Sequence, residues 1–205
     1  SRGDCPWAFC AWPNNSYLCM GIGFTRFTRP TRGRTGEAFF PPQGRVFVNE
    51  VMTEKEIREA LAGVVPLLDK ADADWCVYGS AALVLHGMTG IGAHDVDVMM
   101  SVGGLRMLLR HLPQAEMLGG DKPGSRFRSL HARVYIKGVE VDLSGDLQIR
   151  QAAGWHDVAV TEVCHRDGIR FASLQDCIRL LRLFGRPKDL MRLEQVVAAL
   201  HAGLV

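Results

Sequence analysis

Residues 94–100 constrain the fold most tightly, because aspartates alternate with valines there. Asp95 and Asp97 stand two positions apart, with Val96 between them and Val98 after them. Successive side chains of a β-strand point to opposite faces, so this spacing puts both carboxylates on one face and both valines on the other. We predict a strand whose valines enter a core. Adjacent carboxylates repel unless a cation lies between them, and Mg²⁺ suits that place because hard cations prefer oxygen ligands.

A third carboxylate lies in a second apolar strand pattern, residues 139–143. It is Asp142, and pairing of the two strands would bring it beside Asp95 and Asp97. Three carboxylates on neighbouring strands can hold two metal ions about 3.5–4 Å apart, which activates an attacking oxygen and stabilises a leaving pyrophosphate. An Asp-x-Asp pair on an exposed strand is more often a solvated face. The metal site therefore needs support from the motifs around it.

Gly79 and Ser80 follow a predicted strand, residues 75–78, and open an apolar helix, residues 81–86. A glycine lets the backbone approach a phosphate closely, and a helix N-terminus offers free N–H groups and a positive dipole. Ser80 can cap the helix or donate to a phosphate. A Gly-Ser pair before a helix is commonly only a cap. A phosphate site here depends on the aspartates that follow.

Residues 1–51 differ in composition from the rest of the chain. They hold nine of the 16 aromatic residues, five of the nine prolines and three of the six cysteines. No helical or alternating period continues through them for long. We interpret residues 1–51 as an atypical extension, poorly ordered or non-native, and residues 52–205 as one folded domain. Thr53 and Glu56 form a capping-box pattern, which makes Met52 the expected natural start.

Composition excludes several classes of protein. A chain of 205 residues with 47% hydrophobic and 22% charged residues is typical of a globular protein with one sizeable core. No apolar run reaches the roughly 20 residues of a membrane span, so we expect no membrane partner and a cytoplasmic location. The net charge of +2 does not indicate a nucleic-acid partner. The cysteines have no metal-ligand spacing.

Periodicity and turn residues predict an α/β or α+β domain after Met52. The predicted helices cover residues 53–69, 81–86, 105–112, 173–184 and 187–200. The predicted strands cover residues 75–78, 94–100, 126–136, 139–143, 158–163 and 169–171.

Several motifs, in this order, resemble those of the DNA polymerase β superfamily of nucleotidyltransferases, and in particular small bacterial proteins of the abortive-infection toxin type. They are Gly79-Ser80, Leu85-His86-Gly87, Asp95-Val96-Asp97, the strand with Asp142, and Gly185-Arg186-Pro187-Lys188-Asp189. The likeness covers roughly residues 55–200. It implies a polymerase β-like nucleotidyltransferase fold, a mixed sheet flanked by helices, with C-terminal helices.

The resemblance further implies a metal-dependent enzyme that moves a nucleoside monophosphate from a nucleoside triphosphate to a hydroxyl of a tRNA, a protein or a small molecule. The implied site residues are Asp95, Asp97 and Asp142, which are catalytic and bind two Mg²⁺ ions, and Gly79, Ser80, Lys188 and Asp189, which bind the nucleotide. Lys188 would meet a phosphate and Asp189 would orient it. Alternatively, Asp189 only begins the last helix, at the favourable end of its dipole.

The chain departs from the family pattern at two places that usually carry positive charge. Residues 89–94, just before the aspartates, contain no arginine, and Leu181 stands where many relatives have a lysine. The second hypothesis is therefore a binding module with a weakened nucleotidyltransferase fold, such as one component of a toxin–antitoxin pair. The three carboxylates favour the enzyme, because a binding module has no evident need for them.

Overall fold

The computed structural model describes residues 51–71, 74–118 and 124–203, so the predicted extension lies outside the described residues except for Val51. The helices are α1 (Glu54–Lys70), α2 (Gly79–Leu85), α3 (Val102–Leu109), α4 (Leu174–Phe184) and α5 (Pro187–His201). The strands are β1 (Cys76–Tyr78), β2 (Val96–Met100), β3 (Glu116–Leu118), β4 (Phe127–Ile136), β5 (Val139–Gln151), β6 (Gly154–Asp157), β7 (Val163–Arg166) and β8 (Ile169–Ala172). None of the helices described combines the length and apolar character needed to cross a bilayer.

The described strands form one mixed sheet in the order β3-β4-β5-β2-β1-β8-β7, and β6 pairs with β5. Strand β2 is parallel to β5 and antiparallel to β1, and β1 is parallel to β8. The remaining pairs are antiparallel. Helices accompany this sheet, so the predicted mixed α/β architecture is confirmed.

Helix α1 begins where its capping box predicts. Thr53 Oγ1 accepts a hydrogen bond from the backbone N–H of Glu56, and the Glu56 carboxylate accepts one from the backbone N–H of Thr53. Its buried face consists of Ile57, Ala60, Leu61, Val64 and Leu68. These spacings follow the helical period, so local capping and an apolar stripe together explain the helix.

The predicted strand at residues 158–163 is wrong. Strand β6 ends before it and β7 begins only at its last residue. The backbone N–H groups of Thr161 and Glu162 donate to the carboxylate of Asp176, at 2.7 and 2.8 Å, instead of to a neighbouring strand. A buried side chain thus takes the hydrogen bonds that a strand would have used, and the segment bends.

Other differences concern the lengths of elements. Strand β5 continues to Gln151, eight residues past the predicted end at residue 143, and β3 and β6 are additional strands. Helix α3 begins at Val102 and not at residue 105, because the Ser101 hydroxyl caps it by accepting from Gly104 N at 3.0 Å.

The junction of α4 and α5 follows the sequence closely. Ser173 caps α4, and Gly185 ends it in the left-handed conformation, with φ of 59°. Pro187 then occupies the first turn of α5. The turn places the beginning of α5 near the beginning of β2, and residues from both line the same cavity.

Candidate active site

The parallel pairing of β2 with β5 brings four carboxylates together, which we call the acidic wall: Asp95, Asp97, Glu140 and Asp142. Asp97 and Asp142 are direct partners in this ladder, and Val96 pairs with Val141. Asp95 lies one residue before β2, so it is level with Glu140. The period of two puts all four carboxylates on one face of the sheet. The strand pairing that the sequence analysis anticipated therefore brings Asp142 beside the aspartate pair.

Three members of the acidic wall can converge on one cation. Carboxylate oxygens of Asp95, Glu140 and Asp142 lie within 4.8 Å of one another, and we call these three residues the cation cluster. An all-oxygen set fits a hard divalent cation such as Mg²⁺. Glu140 was not among the predicted ligands, although its position two residues before Asp142 on the same strand was a usable signal.

The electrostatics of Asp97 indicate a need for positive charge. Burial, followed by the negative charges of Asp95 and Asp142, raises the pKa of Asp97 to about 7. Lys188 and Arg186 oppose this rise and offset only part of it. In the absence of a metal, a proton neutralises Asp97 where a cation otherwise would.

Asp142 shows the opposite shift of pKa because His131 and Arg133 contact its carboxylate. Burial alone would raise the pKa of Asp142, but contacts from His131 and Arg133 outweigh burial and lower this pKa to about 2. Arg133 Nε lies 2.7 Å from Asp142 Oδ1, and Arg133 Nη2 lies 2.9 Å from Oδ2. The same Nη2 is 2.8 Å from Glu140 Oε1. One guanidinium therefore bridges two of the three carboxylates of the cation cluster.

Gly79 lies against the acidic wall at the start of α2. Its φ is +70°, and a Cβ placed on it would come within 2.7 Å of Asp97 Oδ2. Only glycine satisfies both the left-handed backbone and this close approach. Ser80, in contrast, is 2% exposed and is not among the residues that line the site cavity. The structure brings Gly79 to the site and leaves the Ser80 side chain in the core.

We expect Gly79→Ala to disrupt the site more than its backbone strain explains. An alanine at positive φ costs about 1 kcal/mol, and contact with the Asp97 carboxylate adds about 1–3 kcal/mol. Gly87→Ala is the matched control, since Gly87 has φ of +85° and a Cβ there would meet nothing within 4 Å. Thermal unfolding measures both variants. An equal loss of stability in the two would mean that the contact with Asp97 is unimportant.

A cavity of about 490 Å³ lies in front of the acidic wall. Gly79, Asp95, Asp97 and Asp142 line it on the side of the sheet. Arg186, Lys188 and Arg192 line it from the beginning of α5, and its apolar part consists of Phe127, Leu147, Cys177, Leu180, Leu181 and Phe184. The cavity thus has an acidic wall, a basic wall and an apolar end, which suits an anionic ligand with a less polar portion.

Another cavity, of about 590 Å³, is larger but chemically less suited. Trp75, Met100 and Arg170 are among the residues that line it, and none of the predicted site residues does. Size alone would favour this cavity. We place the site in the smaller one because the carboxylates and cations converge there.

Asp189 stabilises the first turn of α5. It is 1% exposed and accepts hydrogen bonds from Arg186 N, Nε and Nη2 at 3.0, 2.6 and 3.0 Å. The alternative role, a helix start, therefore describes Asp189 better than orienting Lys188 does. Lys188 itself is exposed and lines the cavity. Arg192 is a cavity cation that sequence reasoning missed, because nothing local distinguishes it from a surface arginine. Arg186 also lines the cavity; it belongs to the Gly185–Asp189 motif but was not among the predicted site residues.

No family model and no curated protein matches this chain. Among solved structures, the chain is similar to TM1012 of Thermotoga maritima, provisionally designated a nucleotidyltransferase, with 20% identity over 72% of this chain and 96% of that chain, at a TM-score of 0.57. It is also similar to the antibiotic-resistance factor ANT(2'')-Ia, with 12% identity over 74% and 88% of the two chains and a TM-score of 0.46. A nucleotidyltransferase-like antigen of Paracoccidioides brasiliensis has 15% identity over 73% and 78%, with a TM-score of 0.44.

A TM-score below 0.5 does not establish a shared fold, so the comparison depends on the Thermotoga structure. That likeness spans nearly the whole of the other chain and agrees with the mixed sheet and C-terminal helices described above. The chain therefore has the polymerase β-like nucleotidyltransferase fold.

Proposed function

We propose that the protein is a metal-dependent nucleotidyltransferase, which moves a nucleoside monophosphate from a nucleoside triphosphate to a hydroxyl acceptor. In this reaction the acceptor oxygen bonds to the α-phosphorus, the bond from that phosphorus to the bridging oxygen breaks, and pyrophosphate leaves. The hydroxyl proton passes to a carboxylate of the acidic wall. Atoms and charges balance without any redox partner.

The observation that carries the proposal is the in-register placement of Asp97 beside Asp142, with Asp95 and Glu140 level with each other next to them. Four carboxylates this close together repel one another unless a cation lies among them. A divalent metal held by Asp95, Glu140 and Asp142, with Asp97 alongside, would neutralise charge on the reacting phosphate. A pair of Mg²⁺ ions is the composition that the family resemblance implies.

The chain's own residues would perform three tasks around that metal. Gly79 lets the start of α2 lie directly against Asp97. The cations of α5 face the same cavity as the carboxylates, so they would bind the phosphates. The apolar end, which includes Phe127 and Phe184, would take the base or sugar and exclude water.

The acceptor is a hydroxyl of a tRNA, a protein or a small molecule, and the described residues favour none of these. One observation supports the alternative, a binding module without catalysis. Arg133 already forms ion pairs with Asp142 and Glu140, which is how a carboxylate cluster is partly stabilised when no metal is used. In that case a partner protein, as in a toxin–antitoxin pair, would be the ligand of interest.

We expect calorimetry to show Mg²⁺-dependent binding of at least one of the four nucleoside triphosphates. Asp95→Asn removes one carboxylate of the cation cluster and should weaken that binding at least about tenfold, since a lost charge-assisted contact is worth about 1.5–3 kcal/mol. Glu194→Gln, an exposed position on α5 that does not line the cavity, is the control and should change nothing.

Absence of binding by any triphosphate, with the protein folded and Mg²⁺ present, would contradict the proposed function. It would favour the binding module instead.

A further inference from the structure

Three neighbouring strands present arginines on one face at the end of the sheet. Arg128 of β4 lies opposite Gln148 of β5, and Arg150 of β5 lies opposite Trp155 of β6. The backbone N–H of Arg150 donates to the carbonyl oxygen of Arg126 at 2.8 Å, which brings Arg126, just before β4, opposite Arg150. Side chains that lie opposite each other on paired strands share a face. We call Arg126, Arg128, Arg150 and Trp155 the arginine face.

The arginine face is turned away from the acidic wall. Phe127 lines the cavity of the acidic wall, and it stands between Arg126 and Arg128 in the chain, so the two arginines point to the other side. Arg150 is also eight residues beyond Asp142, which is about 26 Å along an extended strand. The arginine face is therefore separate from the proposed nucleotide site.

The three arginines of this face have no counter-ion within the described part of the chain. Arg126 and Arg150 are exposed. Among residues 51–71, 74–118 and 124–203, no carboxylate lies within ion-pair distance of any of the three guanidinium groups. Like charges directly opposite each other on paired strands are destabilising. The arginine face is therefore suited to an anionic partner that carries more than one charge.

Trp155 gathers two of these guanidinium groups at its ring. The guanidinium carbon of Arg128 lies 4.5 Å from the ring centroid, and that of Arg150 lies 5.9 Å from it. Cation–π attraction positions both groups without neutralising them. A guanidinium binds phosphate through a fork of donors and also stacks on flat rings. Positive charge combined with an aromatic ring is typical of surfaces that bind single-stranded nucleic acid.

The remaining polar groups of the face favour RNA over other polyanions. Asp157 is exposed and lies in the same row as Arg128 and Gln148, and it accepts a hydrogen bond from the Gln148 amide at 2.6 Å. Its carboxylate would repel an acidic peptide, which also lacks flat bases for stacking. The same carboxylate can accept a hydrogen bond from a ribose 2′-hydroxyl, a group that distinguishes RNA from DNA.

We propose that the arginine face is a docking surface for single-stranded RNA. Its three guanidinium groups bind phosphates, and the Trp155 ring with the guanidinium groups on it stacks on unpaired bases. The net charge of +2 conceals such a surface, because it averages a local concentration of arginines over the whole chain. RNA binding here is independent of the proposed nucleotidyl transfer, since the acidic wall lies on the other side of the strands.

The test measures the fluorescence anisotropy of a labelled single-stranded RNA of about 12 nucleotides, a length that such surfaces can cover. The full chain is titrated in EDTA, so that neither a metal nor a nucleotide contributes. The wild type should bind, and log K should fall against log[salt] with a slope of about −2, the value for three phosphate contacts on a single strand.

Substitutions separate phosphate contacts from stacking. Arg126→Gln and Arg150→Gln should each weaken RNA binding about tenfold at low salt and make the slope shallower by about 0.7, since each removes one phosphate contact. Trp155→Leu should also weaken binding about tenfold but leave the slope unchanged, because it removes stacking and no charge. Arg182→Gln, exposed on α4, is the charge-matched control and should bind as the wild type does. The exposed arginine variants keep the test decisive if Trp155→Leu fails to fold.

Several results would overturn the docking surface. The wild type binds no RNA at low salt, or it binds RNA with an affinity that Arg126→Gln combined with Arg150→Gln leaves unchanged. Single-stranded DNA of the same sequence that binds as tightly as RNA contradicts the assignment to RNA. A polyglutamate peptide that displaces the RNA, together with no effect of Trp155→Leu, indicates an acidic protein as the partner instead. Each of these results leaves the proposed nucleotidyl transfer standing, because triphosphate calorimetry tests that function separately.

Discussion

Asp97→Asn should raise the melting temperature of the metal-free protein at pH 8, although it removes a carboxylate of the candidate site. The pKa of Asp97 is raised from 3.8 to about 7, mainly by burial and then by Asp95 and Asp142. Ionised Asp97 therefore destabilises the folded state. One unit of pKa corresponds to about 1.4 kcal/mol. Asp97 is partly exposed to the cavity, so solvent screening reduces the effect, and we expect a gain of about 2 kcal/mol.

The raised pKa of Asp97 predicts the pH range in which Asp97→Asn changes stability. Below about pH 4 the carboxyl of Asp97 is protonated in both folded and unfolded chains, and the substitution should change stability little. Between pH 4 and 7 the unfolded chain ionises while the folded chain keeps its proton, so the wild type loses stability as pH rises. Above about pH 7 the difference is constant. Melting temperatures from pH 4 to 9 measure this profile.

Asp176→Asn is the control of opposite sign. Backbone N–H groups of Thr161 and Glu162 and the side chain of Arg179 outweigh burial and lower the pKa of Asp176. Its ionised form stabilises the fold above the unfolded pKa, and that stability is lost as pH falls through the lower folded pKa. Asp176→Asn should therefore lower the melting temperature at pH 8. A fall for Asp97→Asn as well would mean that Asp97 has a stabilising partner in solution.

Mn²⁺ should stabilise the wild type and have little effect on Asp97→Asn if Asp97 contributes to the cation site. The substitution would then exchange function for stability, as is common for crowded charges in active sites.

Arg133→Met should destabilise the metal-free protein and strengthen metal binding. Arg133 bridges Asp142 and Glu140, and removing it leaves the buried Asp142 with His131 as its remaining partner. Breaking one side of such a pair costs about 3–5 kcal/mol when it is fully buried, and somewhat less here because 27% of the Arg133 side chain is exposed. A divalent cation beside these carboxylates is repelled by Arg133 by several kcal/mol at an effective dielectric constant of about 20. We therefore expect Mn²⁺ to bind at least about tenfold more tightly to the variant.

Arg58→Met is the matched control for Arg133→Met. Arg58 pairs with Glu54 and Asp167 on the surface, and 24% of its side chain is exposed. Its loss should cost less than about 1 kcal/mol and leave Mn²⁺ affinity unchanged. Weaker Mn²⁺ binding by Arg133→Met would show that Arg133 orients Asp142 for the metal and does not compete with it.

Features that depend on a few neighbouring residues were predictable from the sequence. The capping box of Thr53 and Glu56, the Ser173 cap and the Gly185 stop all involve contacts within four residues, and each is present. The alternation around Asp95 and Asp97 likewise predicted which side chains share a face. Local hydrogen bonds and side-chain periods determine these features, so no distant partner has to be known.

Partners far apart in the chain were not predictable. The segment at residues 158–163 has an apolar composition typical of a strand, but Asp176 takes its backbone hydrogen bonds. An alternating pattern predicts which face of a strand each side chain occupies. It cannot predict which other element competes for the backbone hydrogen bonds.

The candidate site divides in the same way. The sequence by itself predicted the three aspartates as candidate ligands, the glycine turn before α2 and the strand face on which Asp95 and Asp97 lie. Only the tertiary structure decided that Asp142 pairs with Asp97, that Arg133 bridges Asp142 and Glu140, and that Ser80 faces the core. Only the tertiary structure decided that the Arg192 side chain of α5 lines the same cavity as the acidic wall. The physical reason is that strand register and helix docking are decided by packing the whole core, whereas side-chain periodicity is a property of each element alone.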